Sequence, residues 1–127
     1  MNLLDTHVLV WALAAPHRLS PAARQIIESN DIVISAASLW EMILKKGRPK
    51  EIIPDPLAWW KQHVEPSGVR VLPIELAHIR HLDLLPGPSK EPFDRILMCQ
   101  CIVNGLRLVT KDSVIRDHYQ ALVTCVW

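Results

Sequence analysis

The chain has 127 residues, 50% of them hydrophobic, the length of one ordinary domain with enough apolar surface to bury a core. Lys and Arg number 14 against 13 Asp and Glu, a formal charge of +1. That balance excludes a global positive field that would gather nucleic acid, so any phosphate contact must come from local clusters or bound cations.

The first sixteen residues are apolar, but they carry no basic leader, and Asp5 and His7 interrupt the run, so they read as folded structure rather than a signal peptide. No stretch approaches the ~18 apolar residues of a membrane span. Cys99, Cys101 and Cys125 form no spaced framework, which argues against a secreted disulfide scaffold and for a soluble protein of the reducing cytoplasm.

Asn2 to Leu4 predicts a short strand ending at Asp5, and Val8, Leu9, Trp11, Ala12 and Leu13 recur at helical spacing after it. Pro16 stops that helix. Ser20-Pro21 starts the next as cap and first-turn proline, with Ala23, Ile26 and Ile27 on one face. Ile32 to Ile34 suits a strand covered on both faces. Ser35 to Lys46 follows as a helix with Leu39, Met42 and Ile43 inward, stopped at Gly47. Asp55-Pro56 caps a helix bearing Trp59 and Trp60, and Pro66-Ser67-Gly68 ends it. Val69 to Leu72 is the third strand. Glu75 to Leu82 is helical, Leu85 to Pro92 is a loop with several prolines, and Phe93 to Asn104 is a strong helix stopped by Gly105. Leu106 to Val109 is the fourth strand, Lys111 to Tyr119 a short helix or turn, and Leu122 to Val126 the last strand. Short apolar strands alternating with helices imply right-handed crossovers and a parallel sheet covered on both faces. The expected fold class is α/β, one domain over residues 1–127.

In such a sheet the carboxyl ends of the strands share one edge, and sites form in the crevice there. Asp5 ends strand one, Asp112 follows strand four, and Glu41 lies about two helical turns past strand two, close enough to lean over the same edge. Asp94 follows the proline-rich loop, and the strand pattern alone does not place it. Acids at helix starts also serve as caps, and Ser38 to Glu41 matches a capping box. Glu41, however, lies inside a helix that can already start at Ser35. Four oxygen donors with no convergent Cys or His set suit hard cations such as Mg²⁺ or Mn²⁺.

The ordered segments LLDTHVLVWAL, ISAASLWEM, EPFDRILMCQ and LVTKD together resemble the PIN domain, and in particular the toxin nucleases of bacterial VapBC toxin–antitoxin modules. The resemblance implies a three-layer α/β/α sandwich with a central parallel sheet. It implies a metal-dependent endoribonuclease whose acidic quartet falls on Asp5, Glu41, Asp94 and Asp112, with polar neighbours at Thr6, Ser38, Arg95 and Thr110. One or two Mg²⁺ or Mn²⁺ ions, an RNA substrate, products with 5′-phosphate and 3′-hydroxyl, a homodimer, and an antitoxin covering the active-site groove follow from the same likeness. The chain departs from the pattern at Glu91, where such toxins often have aspartate, and at Ser89-Lys90, where they have His-Arg. The longer carboxylate bears on how many ions are held.

Phosphodiester cleavage needs a strong nucleophile at neutral pH and shielding of the charge building on phosphoryl oxygens, and a metal supplies both. Lys45, Lys46, Arg48 and Lys50, close after Glu41, are candidates for gripping RNA phosphates or simply form a solvated helix end. Arg95 is expected to orient a carboxylate more than to touch phosphate. Thr110 and Ser38 could position Asp112 and Glu41, though hydroxyls near helix starts commonly cap. His78 and His81 are expected in solvent rather than on a transition metal, and His7 packed or capping rather than at the metal edge. The tryptophans could stack on bases or form a dimer face; Trp11 and Trp40 are expected in the core instead, and one ring of Trp59-Trp60 is expected to turn away from the other and to be available to an interface. Two other readings compete. A receiver-like signalling domain needs an acceptor aspartate at a strand end, whereas mid-chain Asp55 lies between prolines as a cap. A catalytically silent PIN-like RNA- or protein-binding module would normally have lost one of the four acids, and none is missing.

Overall fold

Asn2–Leu4, three consecutive buried residues, form β1 at the centre of the sheet. The computed structural model describes residues 1–127. Around β1 lie β2 (Ile32–Ser35), β3 (Arg70–Leu72), β4 (Arg107–Val109) and β5 (Cys125–Val126) in the order β3-β2-β1-β4-β5, and every pairing is parallel. The chain therefore winds outward from β1 to β3, then returns past β1 to β4 and continues to β5. Its direction reverses between β1 and β4, and a crevice opens at their carboxyl ends, where open α/β sheets bind ligands.

Strand alternation divides the core into two layers. Leu3, Val33, Leu72 and Leu108 face one side. There they meet Ile96, Leu97 and Met98 of α6 (Pro92–Asn104), Ile115 of α7 (Ser113–His118) and, at the layer's edge, Leu82 of α5 (Leu76–Leu82). Leu4, Ile34 and Val109 face the other side. Their partners are Val8 and Leu9 of α1 (Thr6–Ala14), Ala23 of α2 (Pro21–Glu28), and Trp60 and Val64 of the π-helical turn that continues α4 (Pro56–Trp59). This is the expected α/β/α sandwich, and each fully buried Leu or Val contributes about 1.5–3 kcal/mol to it. Helix α3 (Ala36–Leu44) straddles the sheet's edge, sending Ala37 to the first layer and Leu39 to the second.

The caps explain why the elements begin where they do. Ser20, Ser35, Asp55, Glu91 and Asp112 each accept a hydrogen bond from an amide in the first turn of the helix that follows. Gly105, left-handed at φ 66°, ends α6. The last strand is shorter than the sequence predicts, because the amides of Leu122 and Val123 bond back to the Tyr119 carbonyl and hold a turn. Several side chains also depart from expectation, among them Ile43, which the sequence turns inward and which is exposed at the end of α3. His78 is buried, its Nδ1 accepting from the Glu75 amide at 2.9 Å and its Nε2 donating to Asn104 Oδ1 at 2.6 Å. Trp40 is 55% exposed rather than core, lying edge-on to Phe93. As expected, Trp59 and Trp60 diverge, with Trp60 buried and Trp59 half-buried.

Candidate active site

Asp5 is carried directly by the end of β1, its amide donating to the Val109 carbonyl of β4 at 3.0 Å. It occupies the cap position of α1, yet its side chain caps nothing. Instead, Oδ2 accepts from the Thr110 hydroxyl at 2.7 Å, and that hydroxyl oxygen in turn accepts from the Asp112 amide at 3.1 Å. Thr110 thus ties the two central strand ends together. Asp112 spends one oxygen on capping α7, Oδ1 accepting from Ile115 at 3.0 Å.

Asp94 sits in the first turn of α6, half-buried, and its own amide donates to Glu91 Oε2 at 2.7 Å. Glu41 lies midway along α3 and is buried. Its Oε2 takes a hydrogen bond from Lys45 Nζ at 2.5 Å, while Oε1 is buried with no partner. Lys45 also reaches Glu91 at 4.0 Å. Asp5, Glu41, Glu91, Asp94 and Asp112 line one open cleft of about 570 Å³ at the switch point of the sheet.

The electrostatics follow from this crowding. Burial, then the charges of Asp5, Glu91, Asp112 and Glu41, push the Asp94 carboxyl up to about 8. Burial also raises Asp5, against the Thr110 hydrogen bond and the charge of His7, with Glu41 adding to the upward push. For Lys45, burial disfavours the ammonium, but the hydrogen bond and charge of Glu41, helped by Glu91 and Glu51, outweigh it and raise its pKa. The cleft holds more negative charge than it can neutralise.

Its donor chemistry fits a hard cation: all the acids present oxygen, one buried oxygen of Glu41 lacks a partner, and mutual repulsion rewards added positive charge. With Lys45 seated on Glu41, no three acids converge tightly enough to share one ion. Loading would therefore require side chains to turn.

The supporting residues divide. The Thr110 hydroxyl touches the backbone amide of Asp112, not its carboxylate, and donates to the carboxylate of Asp5. Ser38 does not touch Glu41 and does not start α3; its oxygen accepts from Thr6 at 2.9 Å, fastening α1 to α3. Arg95 orients no carboxylate. Its guanidinium donates to the carbonyls of Leu85 (2.6 Å) and Ser89 (2.9 Å) and so clamps the proline-rich loop. Tyr119 anchors the same loop, its hydroxyl accepting from the Ser89 amide at 3.0 Å. Of the basic stretch, Lys45 is spent on Glu41, Lys46 and Arg48 are exposed without lining the cleft, and Lys50 lines an adjoining one.

The opposite wall is made by two residues for which the sequence favoured plainer roles. Trp11 is half-buried, not core, and with the exposed His7 it lines both the acidic cleft and a neighbouring cavity of about 460 Å³. The signals were present: His7 and Trp11 are spaced i, i+4, as are Glu41 and Lys45.

Comparison with known proteins gives a consistent picture. Residues 3–120 match the PIN domain family. The chain is 34% identical to Ribonuclease VapC22 of Mycobacterium tuberculosis over 131 aligned positions, covering 98% of this chain and 97% of that protein. In fold it is similar to FitAcB from Neisseria gonorrhoeae (TM-score 0.69, 19% identity, 100% and 97% of the two chains covered). It is also similar to DNA-bound VapBC from Salmonella typhimurium (TM-score 0.68, 19% identity, 98% and 96% covered).

Proposed function

The chain belongs to the PIN-domain family, and on that premise we propose that it is an endoribonuclease, the toxic member of a toxin–antitoxin pair, using Asp5, Glu41, Asp94 and Asp112 with Mg²⁺ or Mn²⁺. The observation that carries this reading is the meeting of these acids at the switch point of the sheet, with the Asp94 carboxyl raised to about 8.

Asp5 and Asp94 would be the direct ligands of the cation, with Glu41 and Asp112 completing the shell or holding a second ion. When bound, the cation acidifies water and neutralises charge developing on the phosphoryl oxygens. The chain's own residues do the rest. Thr110 occupies one lone pair of Asp5 Oδ2 and fixes that carboxylate's direction. Asp94, whose carboxyl is raised to about 8 by burial and its acidic neighbours, would hold the cation in its ionised form. The free Oε1 of Glu41 is the buried acceptor available to a water proton during attack. Lys45, released from Glu41, can turn to a phosphate oxygen. The products would carry a 5′-phosphate and a 3′-hydroxyl.

The relative's name speaks of a ribonuclease, and the solved neighbours include the DNA-bound VapBC assembly. For this chain we infer a homodimer and an antitoxin whose terminal segment folds on binding and lays a basic side chain on the carboxylates. The Lys45–Glu41 contact is the intramolecular version of such a pairing. Action in the cytoplasm fits this reading, and no helix is long and apolar enough to cross a membrane.

The test is to incubate the purified protein with total RNA and Mg²⁺, Mn²⁺ or chelator, and to map product 5′ ends. Discrete phosphorylated ends, lost on chelation and in Asp94→Asn, are expected. RNA left intact under every condition would remove the ribonuclease assignment.

A further inference from the structure

Trp11 stands where the acidic cleft meets the neighbouring cavity, with one wall of each. Its indole is supported edge-on by Trp127, with centroids 6.0 Å apart and planes at 60°. Two cations hold stations over it: the Arg18 guanidinium and Lys111 Nζ, each 5.8 Å from the ring centroid. Both side chains are exposed, and neither has a carboxylate within ion-pair distance. His7 lies one helical turn before Trp11, its ring 6.0 Å away and tilted by 31°. A tryptophan placed only to fill the core would be covered on both faces by apolar side chains. This one has two long, exposed cations without a carboxylate partner over its ring, which water or a ligand can displace.

We propose that Trp11 is a base-stacking platform for single-stranded RNA, receiving the nucleobase next to the scissile phosphate while Arg18 and Lys111 take the flanking phosphates. The inference rests on the ribonuclease reading and adds a subsite to it. A base and a tryptophan share flat faces, and stacking of this kind is tolerant of sequence. The cations are attracted to the indole face when the cleft is empty and to phosphate oxygens when it is filled. They therefore place positive charge beside the ring at the rim, and can leave its face to a base without being lost from the site. Lys111 adjoins Asp112 in the chain and lines the acidic cleft, so the phosphate it meets lies within a nucleotide of the reacting one.

An abasic scan tests this. A fluorescent single-stranded RNA spanning a mapped cleavage site is prepared intact and with one abasic nucleotide at each position in turn. Its affinity is measured by anisotropy, with Mg²⁺, for protein carrying Glu41→Gln to slow cleavage, alone and combined with Trp11→Leu, Trp11→Phe or Lys111→Ala. One abasic position beside the scissile phosphate should weaken binding about tenfold. Trp11→Leu should weaken intact RNA by a similar factor and lose nothing further at that position, whereas Trp11→Phe should keep most of the effect. Lys111→Ala, an exposed change that leaves the core untouched, should weaken all the RNAs alike and lower the salt dependence of binding. If the abasic position costs the same tenfold with Trp11→Leu, or if no position stands out, the platform is overturned while RNA cleavage by the unmodified protein still upholds the nuclease reading. If that protein neither cleaves nor binds RNA, both fall together.

Discussion

At the scale of single residues, the cleft is built from groups that would be more stable apart. Asp94 is the clearest case, because unfolded aspartate titrates near 3.8 and the folded group near 8. Between those values the folded protein holds a proton that the unfolded chain has released. Stability of the metal-free protein therefore falls as pH rises through that window and levels off above it. Asp94→Asn should flatten this fall and raise the melting midpoint near pH 8 by about 2–5 °C in chelator, while abolishing RNA cleavage. Calorimetric scans of both proteins from pH 5 to 9 measure it, and a lower midpoint in the variant would mean that the carboxylate is mainly structural. Asp5→Asn should also abolish cleavage, with its fold preserved by far-ultraviolet circular dichroism. Thr110→Val makes the converse point. It leaves a buried carboxylate without its donor, so a stability loss of about 1–3 kcal/mol and a drop in cleavage are expected in urea titration and assay.

At the scale of elements, the proline-rich loop before α6 decides where two acids stand. Arg95 grips it at the Leu85 and Ser89 carbonyls, and Tyr119 holds the Ser89 amide. Gly87 lies so close that a Cβ there would meet the Tyr119 ring at 2.6 Å, with φ at 94°. Gly87→Ala should therefore destabilise by about 2–3 kcal/mol, and Arg95→Gln should slow cleavage several-fold by loosening Glu91 and Asp94. Near-native activity in Arg95→Gln would show that the capping of α6 by Glu91 suffices. This loop also marks the boundary of what the sequence discloses. Cap residues and apolar runs locate nearly every strand and helix, because those signals act over one turn. Asp5, Glu41 and Asp112 follow from strand ends and spacing. Asp94 does not, since its place depends on a loop whose path is fixed by Arg95 and Tyr119 from elsewhere. The burial of His78 and the exposure of Trp40 are likewise settled by what neighbouring elements bring, Asn104 in one case and Phe93 in the other.

At the scale of the whole molecule, the apolar surface left on α3 is considerable, with Trp40, Ile43 and Leu44 all exposed. Such a patch beside a functional cleft suits protein contact, and light scattering at about ten micromolar should report a dimer; a monomer there would count against self-association. RNA recognition by the proposed nuclease should depend instead on charge. Five acids and two lysines, Lys45 and Lys111, line the acidic cleft, and the total formal charge of +1 cannot offset them at long range. Without cations the cleft should repel phosphate, whereas a bound divalent ion reverses its local sign. The exposed Lys46, Arg48 and Lys50 lie in the turn and loop after α3, where they can add only sequence-independent contacts. Affinity of the Glu41→Gln protein for RNA should thus fall at least about tenfold on chelation, while alanine at those three positions costs little beyond a smaller salt slope. The comparison requires both proteins, with and without Mg²⁺, across a salt series. Affinity that ignores chelation but collapses in the alanine variant would place phosphate recognition on the basic stretch, and would favour a binding module that has kept its acids without using them.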